Sequence, residues 1–145
     1  MPPINSASSF IEGFEKNTKG VFTILGSEKA GAVGMGIALC LEKALAQSGV
    51  VREDVKYINA HATSTLSADV SEYEAIIHCF GYNSELKINS TKSITSHFLG
   101  AGGGVEAIST VKALQTGWLH PNMNSENPEV GVVCRHLFVV IELML

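Results

Sequence analysis

Two stretches, Val55 to Ala60 (VKYINA) and Leu86 to Ser90 (LKINS), carry the β-branched and aromatic content of strands. Each is followed by a loop and then by apolar residues at helical spacing. Parallel strands cannot be joined by a hairpin, and a helix is their usual crossover, so this alternation predicts a mostly parallel sheet with helices on its faces. The expected fold class is α/β.

The flanking segments fit the same scheme. Ile37, Cys40, Leu41, Ala44 and Leu45 recur at helical spacing from Met35 to Gln47, and Ser48-Gly49 closes the pattern, which places Cys40 in the core. A second helix follows Asp69, whose carboxylate suits the positive helix end, and runs through Val70, Tyr73, Ile76 and Ile77 to Gly81. A third runs from Leu99 through Val105, Ile108, Val111 and Leu114 to Gly117. Val21 to Leu25 reads as a further short strand, HPNMNSENPE as loop, and the apolar tail from Val132 to Leu145 as one more strand. Gly100 to Gly104 lies inside a helical pattern and lacks the order of a phosphate loop, so close helix packing is expected there.

At 145 residues the chain is long enough for one domain that buries roughly 68–70% of its unfolded surface. Ten basic and fourteen acidic side chains give a net charge of −4 with no basic cluster, so nucleic-acid binding has no electrostatic footing. No apolar run approaches the roughly 20 residues of a membrane span. The N-terminus shows no secretory pattern, and Glu12 and Glu15 do not suit an acid-poor transit peptide, so no targeting segment is expected in these residues. Cys40, Cys79 and Cys134 form neither a CxxC pair nor a disulfide framework, which suits a reducing compartment. Cys79 beside His78 has no further ligands at zinc spacing, so no metal site is expected.

The chemistry points to the loops. Both strands run into a loop that carries a histidine, INAHATST with His61 and NSTKSITSH with His97. In open α/β sheets ligands bind outside the carboxyl ends of the strands, so two such histidines can converge on one substrate atom; the alternative is two unrelated loop histidines. Lys92 shares the second loop, where it either stays charged beside a carboxylate or loses its proton readily. Asp69 and Glu72 share a helix face and are the candidate partners. Ser84 and Lys87 form an SxxK without its companion KTG, so a serine-acylating enzyme is not indicated.

The stretches YINAHATSTLSADVSEYEAI and INSTKSITSHFLGAGGGVEAISTVKALQTGWLHPNMNSENPE resemble the C-terminal half of a β-ketoacyl-acyl-carrier-protein synthase of the thiolase fold, most similar to the plastid condensing enzymes of plants. The likeness covers about residues 35 to 131. It divides the chain into an unmatched segment 1–30, a synthase C-terminal domain 31–131 and a divergent apolar tail 132–145. It implies a decarboxylative condensation of malonyl-acyl-carrier protein with an acyl thioester, in fatty acid synthesis and in a plastid. His61 and His97 would stabilise the enolate, Lys92 paired with Glu72, with Asp69 nearby, would fix the His97 loop, and Thr63 and Thr65 would bind the pantetheine arm. No separate cofactor is implied, since the substrates ride on the phosphopantetheine of acyl-carrier protein.

Two positions depart from the family pattern. Ser96 stands where a glycine usually precedes the second histidine, and Leu66-Ser67-Ala68 where Pro-Ala-Gly usually precedes the aspartate. Cys40 does not stand in the nucleophile motif, which the resemblance places in an N-terminal half outside these residues, and the family's final strands are replaced by VVCRHLFVVIELML. The isolated chain is therefore expected to be inactive in condensation and to form a homodimer or to pack against the remaining half. The apolar faces of Val55 to Ala60, Leu99, Val105, Ile108 and Val111 would then be left uncovered. The alternatives are a non-catalytic module that captures acyl-carrier protein or coenzyme A through the pantetheine loop, and a truncated product without function.

Overall fold

The computed structural model describes residues 21–23 and 33–123 of the 145. Three short strands, β1 (Val21–Thr23), β2 (Tyr57–Asn59) and β3 (Lys87–Asn89), form a sheet in the order β1-β2-β3. Both pairings are parallel, with Phe22, Ile58 and Ile88 in register, as the strand and helix alternation predicts. The helices are α1 (Val33–Ser48), α2 (Leu66–Phe80), α3 (Lys92–Thr95) and α4 (Gly102–Thr116). Turns of 3-10 helix cover Arg52–Asp54 and Leu99–Ala101. The expected strand in the tail lies outside the described residues.

Successive side chains of a strand point to opposite faces, and here the two faces differ in kind. Ile58 and Ile88 enter an apolar core with Leu41 and Leu45 of α1 and Ile76 and Cys79 of α2, and α1 packs along α2. The other face carries Tyr57, Asn59 and Asn89, all buried, and meets α4. The strand Val55 to Ala60 is therefore covered on both sides, apart from Lys56, rather than left with an open apolar face.

Glycines end α2 and α4. Gly81 and Gly117 adopt φ of 65° and 69°, and their N–H groups donate to Ile77 and Ala113 carbonyls at 2.8 Å, the glycine stop that the sequence shows at each place.

Two expectations fail for one reason, that apolar spacing alone does not say which helix face is buried. Cys40 is exposed, because the buried stripe of α1 runs through Leu41 and Leu45 and position 40 lies about 100° away from it. In α4 the buried stripe is Gly102, Glu106, Ala107, Thr110 and Ala113, and Leu99 and Ile108, expected to be left uncovered, are 76% and 66% exposed. The glycine run is not uniformly packed either. A Cβ at Gly100 or Gly104 would meet nothing within 4 Å, while one at Gly102 would lie 3.5 Å from His97 Nδ1. The short α3, which reads as loop, is held by local Ser and Thr bonds, Ser90 Oγ accepting the Lys92 N–H and Ser93 Oγ donating to the Ser90 carbonyl.

Candidate active site

The loop leaving β2 is shaped from α2. The two oxygens of Glu72 accept the N–H groups of His61 and Ala62, each at 2.8 Å, and Asp69 Oδ2 accepts the Ser64 N–H at 3.0 Å. These bonds hold a backbone that L-residues adopt reluctantly, with φ of 27° at Ala62 and 64° at Ser64. The second loop has the same character, with φ of 64° at Ser96 and 48° at Leu99. All the non-glycine residues with positive φ among the described residues thus lie in the two histidine loops, where such strain persists only if the surroundings over-determine it.

The loops bring the two histidines together. Their ring centroids are 5.4 Å apart in an edge-to-face arrangement, 88° between planes. Behind them lies a buried charged cluster. Glu106 of α4, 1% exposed, places Oε1 3.1 Å from His61 Nδ1 and in an ion pair with Lys92 Nζ, which itself lies 2.9 Å from His61 Nδ1. Nδ1 of His61 thus faces both the Lys92 ammonium, which only donates, and the Glu106 carboxylate, which only accepts, and these two neighbours call for opposite ring tautomers. Burial pushes the Lys92 ammonium below its usual range, against the Glu72 and Asp69 charges, which raise it. Burial likewise holds the Glu72 carboxyl above its usual range, opposed by its two backbone N–H donors and the His61 charge and assisted by Asp69.

The expected Lys92–Glu72 ion pair is therefore replaced. Glu72 turns its two oxygens to the N–H groups of His61 and Ala62, Asp69 turns Oδ2 to Ser64, and the carboxylate that meets Lys92 is Glu106. Thr63 and Thr65 stand on the first loop, their hydroxyls bonded to each other at 3.1 Å. Glu106 escapes a sequence reading because it stands in an apolar helix, GVEAISTV; the available signal was one acid at helical spacing from Gly102 and Thr110. Among the described residues no group of three or more His, Cys, Asp or Glu side chains is placed to hold a metal ion, and no helix is long and apolar enough to cross a membrane.

A parallel sheet flanked by helices, with two loop histidines facing one another beside a buried lysine and glutamate, is an α/β domain with its site at the strand ends, and the family match makes that class thiolase-like. Comparison gives the family. Residues 10–126 match the β-ketoacyl synthase C-terminal domain, and the chain belongs to that family. It is 60% identical over 99 residues to 3-oxoacyl-[acyl-carrier-protein] synthase II, chloroplastic, of Arabidopsis thaliana, covering 68% of this chain and 18% of that protein. It is 55% identical over 101 residues to the chloroplastic synthase I of the same plant, 70% and 21% respectively. The 3-oxoacyl-[acyl-carrier-protein] synthase 2 of Vibrio cholerae is 44% identical over 101 residues, 68% of this chain and 24% of that protein. The chain thus spans about a fifth of the length of these relatives.

Proposed function

We propose that this chain supplies the malonyl half-site of a 3-oxoacyl-acyl-carrier-protein synthase acting in plastid fatty acid synthesis. The observation that carries the reading is the facing pair His61 and His97 in front of the Lys92–Glu106 pair. In the tautomer whose Nδ1 accepts from Lys92, His61 offers its Nε2 proton to a thioester carbonyl, and His97 offers a second donor from the opposite loop. When the malonyl carboxylate leaves as carbon dioxide, its bonding electron pair passes into an enolate, and the negative oxygen gains most from donors already in place. The enolate carbon then attacks an acyl thioester, whose sulfur departs as a thiolate. Among the described residues Cys40 faces solvent and Cys79 is sealed in the core, and the acylated cysteine is assigned to another part of the synthase. The substrates are malonyl and acyl thioesters on the phosphopantetheine of acyl-carrier protein, the carrier in the relatives' names, and the chloroplastic naming of the plant relatives supports a plastid setting. Thr63 and Thr65, on the first histidine loop, are assigned to the pantetheine amides.

The test is release of labelled carbon dioxide from a malonyl thioester by the 145-residue chain. His61→Ala and His97→Ala are each expected to lower the rate about 100-fold or more, the usual effect of removing one oxyanion donor. A rate unchanged in either variant would overturn the assignment. Binding of acyl-carrier protein without carbon dioxide release would favour a non-catalytic module.

A further inference from the structure

We propose that Asn59 is the positioning residue of the histidine site, setting the geometry of His61, Lys92 and Glu106 without touching substrate. Asn59 is completely buried, at the carboxyl end of the central strand. Its Oδ1 accepts the Thr91 N–H at 3.1 Å. Its Nδ2 donates to Thr91 Oγ1 at 2.7 Å, to the Glu106 carbonyl at 3.2 Å and to Thr110 Oγ1 at 3.3 Å. One carboxamide thereby joins the three elements that supply the charged cluster. It stands just before His61 on β2, it grips the residue that precedes Lys92, and it holds the turn of α4 that carries Glu106.

The chemistry explains why an amide is required. Thr91 presents both a donor and an acceptor, and only a side chain with both answers them together. A carboxylate would lose the donor that faces the Glu106 carbonyl, and an apolar side chain would leave buried polar groups unpaired. The companion strand shows what an asparagine at this level does when it serves another segment. Asn89, in register with Asn59, accepts the Tyr57 hydroxyl proton at 2.6 Å and donates to the His120 carbonyl at 2.6 Å, so it secures the chain after α4 rather than the site loops.

The proposal rests on the reading of the cluster as the decarboxylation site, and its test separates the two. Thr91→Val keeps the side-chain shape and deletes the acceptor of the 2.7 Å bond, whereas Thr91→Ser restores it. Both are compared with the parent 145-residue chain by two readouts, the ring-nitrogen shifts of His61 in long-range proton–nitrogen spectra and labelled carbon dioxide release. Thr91→Val is expected to move the His61 nitrogens away from the parent pattern and to lower the rate at least tenfold. Thr91→Ser is expected to keep the parent pattern and a rate within twofold. Asn59→Asp should reproduce Thr91→Val, and if that variant does not fold, the Thr91 pair still decides. Unchanged His61 shifts in Thr91→Val, even with a lower melting point, would overturn the proposal and leave Asn59 a packing residue. A parent chain that releases no carbon dioxide defeats the functional reading alone, because the nitrogen shifts still report the clamp.

Discussion

Replacing Ser96 by glycine should stabilise the chain. Ser96 adopts φ 64°, ψ 179°, a conformation that is essentially glycine's own, because an L side chain there meets its own backbone. Residues held in such regions cost about 1–3 kcal/mol. Glycine adds unfolded-state freedom, which offsets about 0.5–1 kcal/mol of the relief. The net gain is about 1 kcal/mol, worth about 3–4 °C in melting temperature at this chain length. The Ser96 N–H donates to the Lys92 carbonyl at 3.0 Å, a backbone bond that the substitution leaves intact. Ser96→Ala serves as the control, since it removes the exposed hydroxyl and keeps the Cβ, and it should melt with the parent. Circular dichroism melts and urea midpoints of the three proteins are the assay. A melting point for Ser96→Gly at or below that of Ser96→Ala would refute the backbone argument. The result bears on the site as well, because glycine is the residue that the family resemblance expects before the second histidine.

Glu106→Ala should destabilise by about 3–5 kcal/mol, because it strands the buried Lys92 ammonium, and urea midpoints will show whether the loss is nearer zero. Glu72 binds its proton more tightly folded than unfolded, so its contribution to stability is complete below pH 4.5 and is lost as pH rises through the folded value. Subtracting the pH series of Glu72→Gln from that of the parent should expose this downward slope, and a difference that rises with pH would contradict it. Gly104→Ala should stabilise by about 0.5–1 kcal/mol, since nothing lies within 4 Å of the added methyl group, and a lower melting point would show that the site is occupied. The chain alone should form no ketoacyl product from acyl and malonyl thioesters; product that Cys40→Ala abolishes would reverse this.

The parallel α/β class, the strand positions and the pairing of the two histidines were legible in the sequence because they rest on local signals. Tyr57-Ile58-Asn59 and Lys87-Ile88-Asn89 announce themselves by residue type, Gly81 and Gly117 stop their helices by conformational freedom, and His61 and His97 follow from standing on the connections that leave the carboxyl ends of β2 and β3. Family membership was legible for the same reason, since its motifs are contiguous runs.

Tertiary structure decided which faces are inside and which charges meet. The buried stripe of α4 is written in Gly, Glu, Ala and Thr, because the sheet face beneath it is polar, and a hydrophobicity pattern points to the exposed Ile108 instead. Cys40 lies outside because α1 is apolar on more than one side and only the packing of α2 chooses among them. Lys92 meets Glu106 because α4 packs over the polar sheet face and brings that carboxylate to it, while Glu72 turns to the N–H groups of His61 and Ala62. Which acid stands beside Lys92 depends on how α4 and the two loops pack on the sheet, and sequence spacing carries no record of that.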